Sequence, residues 1–245
     1  MNTHPLIHWI EGGAPCSARW RSERGAAPPK RVVIADDQTK ADDAYHLACE
    51  GTALLWRGDF ENARQLLQAM ARRADRKPRK APPSLGEAFN IHRQAQSQRA
   101  RTLSMLLIPL ESDFGISLRR APDLRQACRE AYGPDGLDGE ASITSLRELL
   151  GIVGAHEWRK KGVEIPALGA RIHPHYGVYS PVRGEYVELV AQAPLPATTL
   201  AFDIGTGTGV LAALLARRGV ERVVATDQDP RALACARENL ARLGL

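Results

Sequence analysis

One stretch constrains this chain more than any other: Leu200-Ala-Phe-Asp-Ile-Gly-Thr-Gly-Thr-Gly-Val-Leu-Ala-Ala-Leu-Leu-Ala-Arg-Arg-Gly219. A short apolar run breaks at Gly205, Gly207 and Gly209, then resumes as an apolar, helix-forming segment that ends at Gly219. Strand, glycine turn and helix in that order open a βαβ unit. Arg222-Val-Val-Ala-Thr-Asp227 follows as a second short strand closed by a carboxylate, and Pro230 to Leu243 as a second helix. Alternating glycines let the backbone bend sharply and approach a ligand with no side chain between. The helix behind them offers unpaired N–H groups at its start.

The remainder of the chain is long enough to matter. With 245 residues, 44% of them apolar, one large domain or two modest ones can each bury a core; with aromatics at 5% that core must be mostly Leu, Val and Ala. No apolar run approaches the roughly 18–20 residues that span a bilayer, so no membrane partner is expected. His4, Pro5, His8, Glu11 and Gly12 interrupt any secretory leader. Cys16, Cys49, Cys128 and Cys235 are far apart and form no CxxC pair. They read as reduced thiols of a cytoplasmic protein, neither a disulfide framework nor a zinc site. The net charge of +5 is clustered at Arg72, Arg73, Arg76, Lys77, Arg79 and Lys80, and again at Arg159, Lys160 and Lys161. Such patches can attract a phosphate backbone, although a solvated helix end followed by a linker is the commoner source.

Taken in order, residues 1–43 read as a loosely ordered leader in which only Arg31-Val-Val-Ile-Ala-Asp36 is strand-like. From Ala44 the apolar spacing turns helical, and the pattern predicts a small all-helical domain over 44–165. It comprises a helical hairpin around Gly58-Asp59, a basic, proline-rich linker at Lys77–Pro83, and a helix capped by Ser84 with Glu87 that runs to Ile108. Further helices follow over Pro122–Tyr132 and Ser142–Trp158, with a loop over Asp135–Gly139 between them. Residues 166–198 read as a connecting hairpin and helix, the helix opening at Glu185. His173 and His175 are spaced to share a strand face, but no third ligand follows and Pro174 intervenes, so no metal is expected there.

Two carboxylates narrow the ligand of the glycine corner. Asp203 lies two residues before Gly205, at the carboxyl end of the first strand. A dinucleotide would place its pyrophosphate there and meet repulsion; S-adenosylmethionine brings an ammonium and a sulfonium and no phosphate. Asp227, ending the next strand, can accept hydrogen bonds from two ribose hydroxyls, which suits NAD equally well. Gly207, Gly209 and Ala212 satisfy the G-x-G-x-x-A dinucleotide pattern, so a NAD-binding protein is one alternative and a non-catalytic binding module another.

Phe202-Asp-Ile-Gly-Thr-Gly-Thr-Gly209, with Ala225-Thr-Asp227 and Asn239, resembles the cofactor half of class I S-adenosylmethionine-dependent methyltransferases. The resemblance is strongest to the small-domain group that includes release-factor glutamine methyltransferases, whose proline-arginine segment and following Glu are similar to Pro181, Arg183 and Glu185. It implies an α/β fold: a helical N-terminal domain, then over 199–245 the first half of a Rossmann-like sheet. It further implies that Asp203, Gly205, Gly207 and Gly209, with Thr206 and Thr208 between them, hold the methionine end, Asp227 the ribose, and Gln228 the adenine. The expected reaction is methyl transfer to a nitrogen on a macromolecule, the glutamine amide of a protein such as a release factor, with a base of rRNA as the alternative. The family's Asn-Pro-Pro-aromatic motif does not occur in these residues, so no catalytic residue is named. The 245 residues are expected to be the front part of a longer enzyme, inactive alone.

Overall fold

The Gly12-Gly13 pair turns the chain back on itself. With φ of 59° and 80°, these residues give the two left-handed positions that a two-residue hairpin loop needs. They join β1 (Leu6–Glu11) to β2 (Ala14–Arg21), antiparallel with Glu11 opposite Ala14. The computed structural model describes residues 4–75, 84–133, 139–180 and 184–245, and its chain forms two units, Met1–Gly151 and Ile152–Leu245.

The first unit is α/β, not all-helical, and the expected leader is part of its sheet. β3 (Arg31–Ala35), α1 (Ala41–Cys49), β4 (Thr52–Trp56), α2 (Phe60–Asp75), α3 (Leu85–Leu103), β5 (Leu106–Leu110), α4 (Arg125–Tyr132) and β6 (Ser142–Ser145) follow the hairpin, and α5 (Leu146–Lys161) begins in this unit and continues into the next. The six strands form one mixed sheet in the order β1-β2-β6-β5-β4-β3. β3, β4 and β5 run parallel, while β6 is antiparallel to β5 and parallel to β2. Leu54-Leu55, Leu106-Leu107-Ile108 and Ser142–Ser145, expected as helix, are therefore strands. All five positions of β4 and all four of β6 are buried. A strand covered on both faces shows a continuous apolar run with no period of two, which pattern alone cannot separate from a buried helix. One sheet face packs Ile7, Trp20, Ala53, Leu55, Leu107 and Ile143 together.

The expected cap is present: the Ser84 hydroxyl accepts a hydrogen bond from the Glu87 N–H at the start of α3. The expected helical hairpin is not, since the Gly58-Asp59 turn joins strand β4 to α2. There the buried Asp59 carboxylate accepts from the Glu61 N–H (2.9 Å) and from Nε of both Arg119 and Arg120 (2.8 and 2.7 Å). The hydrogen bond from Arg120 leads the effects that hold its pKa at about 2. The linker at 77–83 and the loop at 135–138 lie outside the described residues. Arg73 of the first basic cluster pairs with Asp42.

The second unit carries β7 (Val163–Ile165), β8 (Ala170–Ile172), α6 (Glu185–Gln192), β9 (Leu200–Ile204), α7 (Val210–Arg217), β10 (Arg222–Thr226) and α8 (Pro230–Arg242). The hairpin is β7–β8, joined by a 3-10 turn at Pro166–Leu168, so it ends before His173 instead of containing it. β9 and β10 pair in parallel with Asp203 opposite Ala225, and the crossover helix α7 between them is the βαβ unit anticipated from the glycine stretch. Its core joins Ile165, Leu168 and Ile172 to Val187 of α6 and Val210, Ala213 and Leu214 of α7. Alternation along β9 turns Asp203 inward and leaves Leu200, Phe202 and Ile204 exposed on the opposite face. No helix among the described residues is long and apolar enough to cross a membrane.

Candidate functional site

Between β9 and α7 the backbone turns through three left-handed positions, with φ of 78° at Gly205, 54° at Gly207 and 81° at Gly209. The reason for glycine is most direct at Gly209, the N-cap of α7. A Cβ there would lie 3.1 Å from both Cα and Cβ of Ala236 on α8, so this position lets helix and loop touch. Asp203 holds the turn from beneath. Its Oδ2 accepts from the Thr206 hydroxyl (2.7 Å) and from the Ala212 N–H (3.1 Å), and the side chain is buried. Asp227, at the end of β10, accepts from the Gly207 N–H through Oδ2 and from the Asp229 N–H through Oδ1, both at 3.0 Å. These backbone donors, Asp229 foremost and then Gly207, hold its pKa below the ordinary carboxylate value.

Above the loop lies a cavity of about 390 Å³, a volume in the range of small-molecule sites. Asp203, Gly205, Thr206, Gly207, Thr208 and Asp227 line it, with Asp229, Tyr179 and Tyr186. Three carboxylates are therefore present, and no Lys, Arg or His stands among the described lining residues. The loop's own donors are already engaged. The N–H groups of Gly205 and Thr206 both bond the Thr226 carbonyl at 2.8 Å, that of Gly207 bonds Asp227, and that of Gly209 bonds the Thr206 carbonyl. A phosphate cradle works by presenting such N–H groups outward; at these four positions they point to protein acceptors. The site is suited to a ligand that carries positive charge and hydroxyl groups.

Two of the anticipated residues stand elsewhere. Gly209 packs against α8 and is not part of the lining, and Gln228 is exposed and outside it. Asp229 takes a place that sequence reasoning left empty. It precedes Pro230 and caps α8 through the Arg231 N–H, an Asp-Pro helix start that is legible in the chain. Tyr179 and Tyr186 are not foreseeable from the sequence, because nothing in their spacing marks them. Pro181 and Arg183 lie outside the described residues.

The histidines brace the loop before the site. His173 Nδ1 lies 2.6 Å from the Arg159 carbonyl and His175 Nε2 lies 2.7 Å from Glu238 Oε2. Among the described residues no group of three or more His, Cys, Asp and Glu side chains is placed to hold a metal. Asn239 ties the same region together from α8, accepting from the His173 N–H (2.8 Å) and donating to the Thr208 carbonyl (3.0 Å) from a buried position. The second basic cluster is in part paired internally, Arg159 with Glu238 and Lys160 with Glu157.

Residues 188–244 match the family model of ribosomal protein L11 methyltransferase (PrmA). Similar segments occur in proteins named ribosomal protein L11 methyltransferase. The one from Pelobacter propionicus is 48% identical over 54 residues, 22% of this chain and 18% of its own length. That from Geobacter metallireducens is 54% identical over 43 residues, 18% of this chain and 14% of its own, and that from Clostridium perfringens 47% over 45 residues, again 18% and 14%. The chain thus spans less than a fifth of the length of the relatives it matches. The family match begins within α6 and runs through α8, and these relatives carry the L11 name, not that of the release-factor group.

Proposed function

We propose that the second unit binds S-adenosylmethionine and that the chain serves methyl transfer to a nitrogen on a macromolecule. The observation that carries this reading is the cavity lining: three carboxylates and, among the described residues, no basic side chain around a glycine bend. A dinucleotide's pyrophosphate placed there would meet Asp203 and Asp227, and no described lining residue supplies a compensating cation, whereas an ammonium and a sulfonium are favoured. Asp227 is the residue for the ribose. Each of its oxygens already accepts one backbone N–H, which fixes the carboxylate and leaves each oxygen a further lone pair for a hydroxyl. Asp203, pinned by Thr206 and Ala212, supplies negative charge at the methionine end.

As to the acceptor, the names of the similar proteins favour a ribosomal protein over a release-factor glutamine or an rRNA base. In-line methyl displacement at a sulfonium depends chiefly on holding donor and nucleophile in line, and no described residue identifies the group that orients the nucleophile. The reading implies a cytoplasmic protein, since that is where a ribosomal substrate is met.

Calorimetry with S-adenosylmethionine and with NADH tests the cofactor. Saturable binding of the first, weakened about tenfold or more in Asp227→Ala through loss of charge-assisted hydrogen bonds to the ribose, is the expected outcome. Binding of NADH in its place, or of neither nucleoside, refutes it. Transfer of a tritiated methyl group to purified L11, compared with release factor and rRNA, tests the acceptor.

A further inference from the structure

The carboxylates of the cavity favour a sulfonium through charge alone, without a directional contact to the sulfur. A sulfonium sulfur has no N–H or O–H to donate, so it cannot close a hydrogen bond on Asp203 or Asp227. Those two carboxylates instead accept from neutral donors: Thr206 and Ala212 for one, Gly207 and Asp229 for the other. What stabilises an alkylated cation of this kind at short range is a polarisable ring face. Among the described lining residues the aromatic side chains are Tyr179 and Tyr186.

These two come from different segments and converge on one place. Tyr179 lies in the loop that His173, His175 and Asn239 tie to the rest of the unit, and its carbonyl lies 3.4 Å from where a Cβ of Gly207 would stand. Tyr186 sits in the first turn of α6, whose next residue, Val187, is buried in the core. Burial, the neighbouring Tyr179 and the charge of Asp203 together push the Tyr186 phenol above its ordinary pKa. Yet Tyr179 is 68% exposed and Tyr186 37% exposed. Both rings are therefore open to a ligand that enters the cavity.

We infer that Tyr179 and Tyr186 are positioning residues that recognise the positive sulfur of the methyl donor, the carboxylates serving its ribose and its amino end. The inference rests on the cofactor reading above and adds the determinant that separates the charged donor from its uncharged product.

The test compares affinities of the 245-residue chain for S-adenosylmethionine and for S-adenosylhomocysteine, which lacks the methyl group and the charge. In Tyr179→Leu and Tyr186→Leu the donor should lose about three- to thirtyfold in affinity, the range of a cation–aromatic contact from exposed to desolvated, while the homocysteine compound loses much less. Tyr186→Phe, which keeps the ring, should retain the wild-type ratio. Thermal melting of each variant establishes that the fold is intact, and the exposure of Tyr179 makes its replacement the safer of the two. Parallel weakening of both nucleosides, or a ratio unmoved in either Leu variant, overturns the assignment while leaving the cofactor reading in place. Failure of the wild-type chain to bind either nucleoside overturns the cofactor reading and the inference with it.

Discussion

Replacing Gly209 and Gly205 in turn by alanine separates two reasons for glycine in one loop. Both have left-handed φ, 81° and 78°, and holding an L-residue there costs about 1–2 kcal/mol. A gain of about 0.4–1 kcal/mol from stiffening the unfolded chain partly offsets it. Their surroundings differ. At Gly205 an added Cβ meets nothing within 4 Å, whereas at Gly209 it meets Cα and Cβ of Ala236 at 3.1 Å and the Ala236 carbonyl at 3.4 Å. Ala236 is buried and its backbone belongs to α8, so relief requires a shift of a helix, an overpacking cost of about 1–3 kcal/mol. Gly209→Ala should therefore lose about 2–4 kcal/mol and Gly205→Ala about 1 kcal/mol. A chain of two units need not unfold in one step, so amide hydrogen exchange within α7, for instance at Ala213, whose N–H bonds the Gly209 carbonyl, is the appropriate assay. Ligand affinity should show the reverse order, because Gly205 lines the cavity and Gly209 does not. If Gly205→Ala destabilises α7 as much as Gly209→Ala, the packing argument is wrong.

Acid should loosen the second unit through Glu238. Burial opposes ionisation there, but hydrogen bonds from His175 and Arg242 and the charge of Arg159 hold the pKa at about 2, against an ordinary 4.5. A depressed carboxylate contributes stability that is present above its unfolded value and is lost as pH falls from about 4.5 towards 2. Glu238→Gln should flatten the pH dependence of unfolding in that window, and an unchanged slope would show that the carboxylate contributes nothing. Thiol reactivity should divide the cysteines: exposed Cys49 reacts first with a disulfide reagent under mildly alkaline conditions. Buried Cys128, its thiol pushed up to about 12 by desolvation, and buried Cys235, also raised by burial, stay protected until unfolding. Rapid labelling of Cys128 in the folded chain would contradict its burial.

What the sequence determined by itself was the local grammar of the second unit. Residues 200–204, the glycine bend, the helix to Arg217, the strand ending at Asp227 and the Asp-Pro start of α8 all follow from short-range rules: glycine for left-handed backbone, capping, and an apolar period that changes between strand and helix. Gly12-Gly13 marks where those rules stop, since two glycines that interrupt a strand can equally reverse it, and the returning β2 decides between the two. Tertiary structure decided everything whose cause lies far away in the chain. Leu54-Leu55 and Leu106-Leu107 are strands because β3, β4, β5 and β6 lie beside one another and satisfy each other's polar backbone, and no period within either run records that. Tyr179 and Tyr186 reach the site because His173, His175 and Asn239 anchor the loop before it and the core holds α6. Gly209 is a packing position because α8 comes to within contact. Periodicity and capping act over a few residues and are written in the sequence, while burial on two faces and the meeting of side chains across a cavity depend on which distant segments arrive.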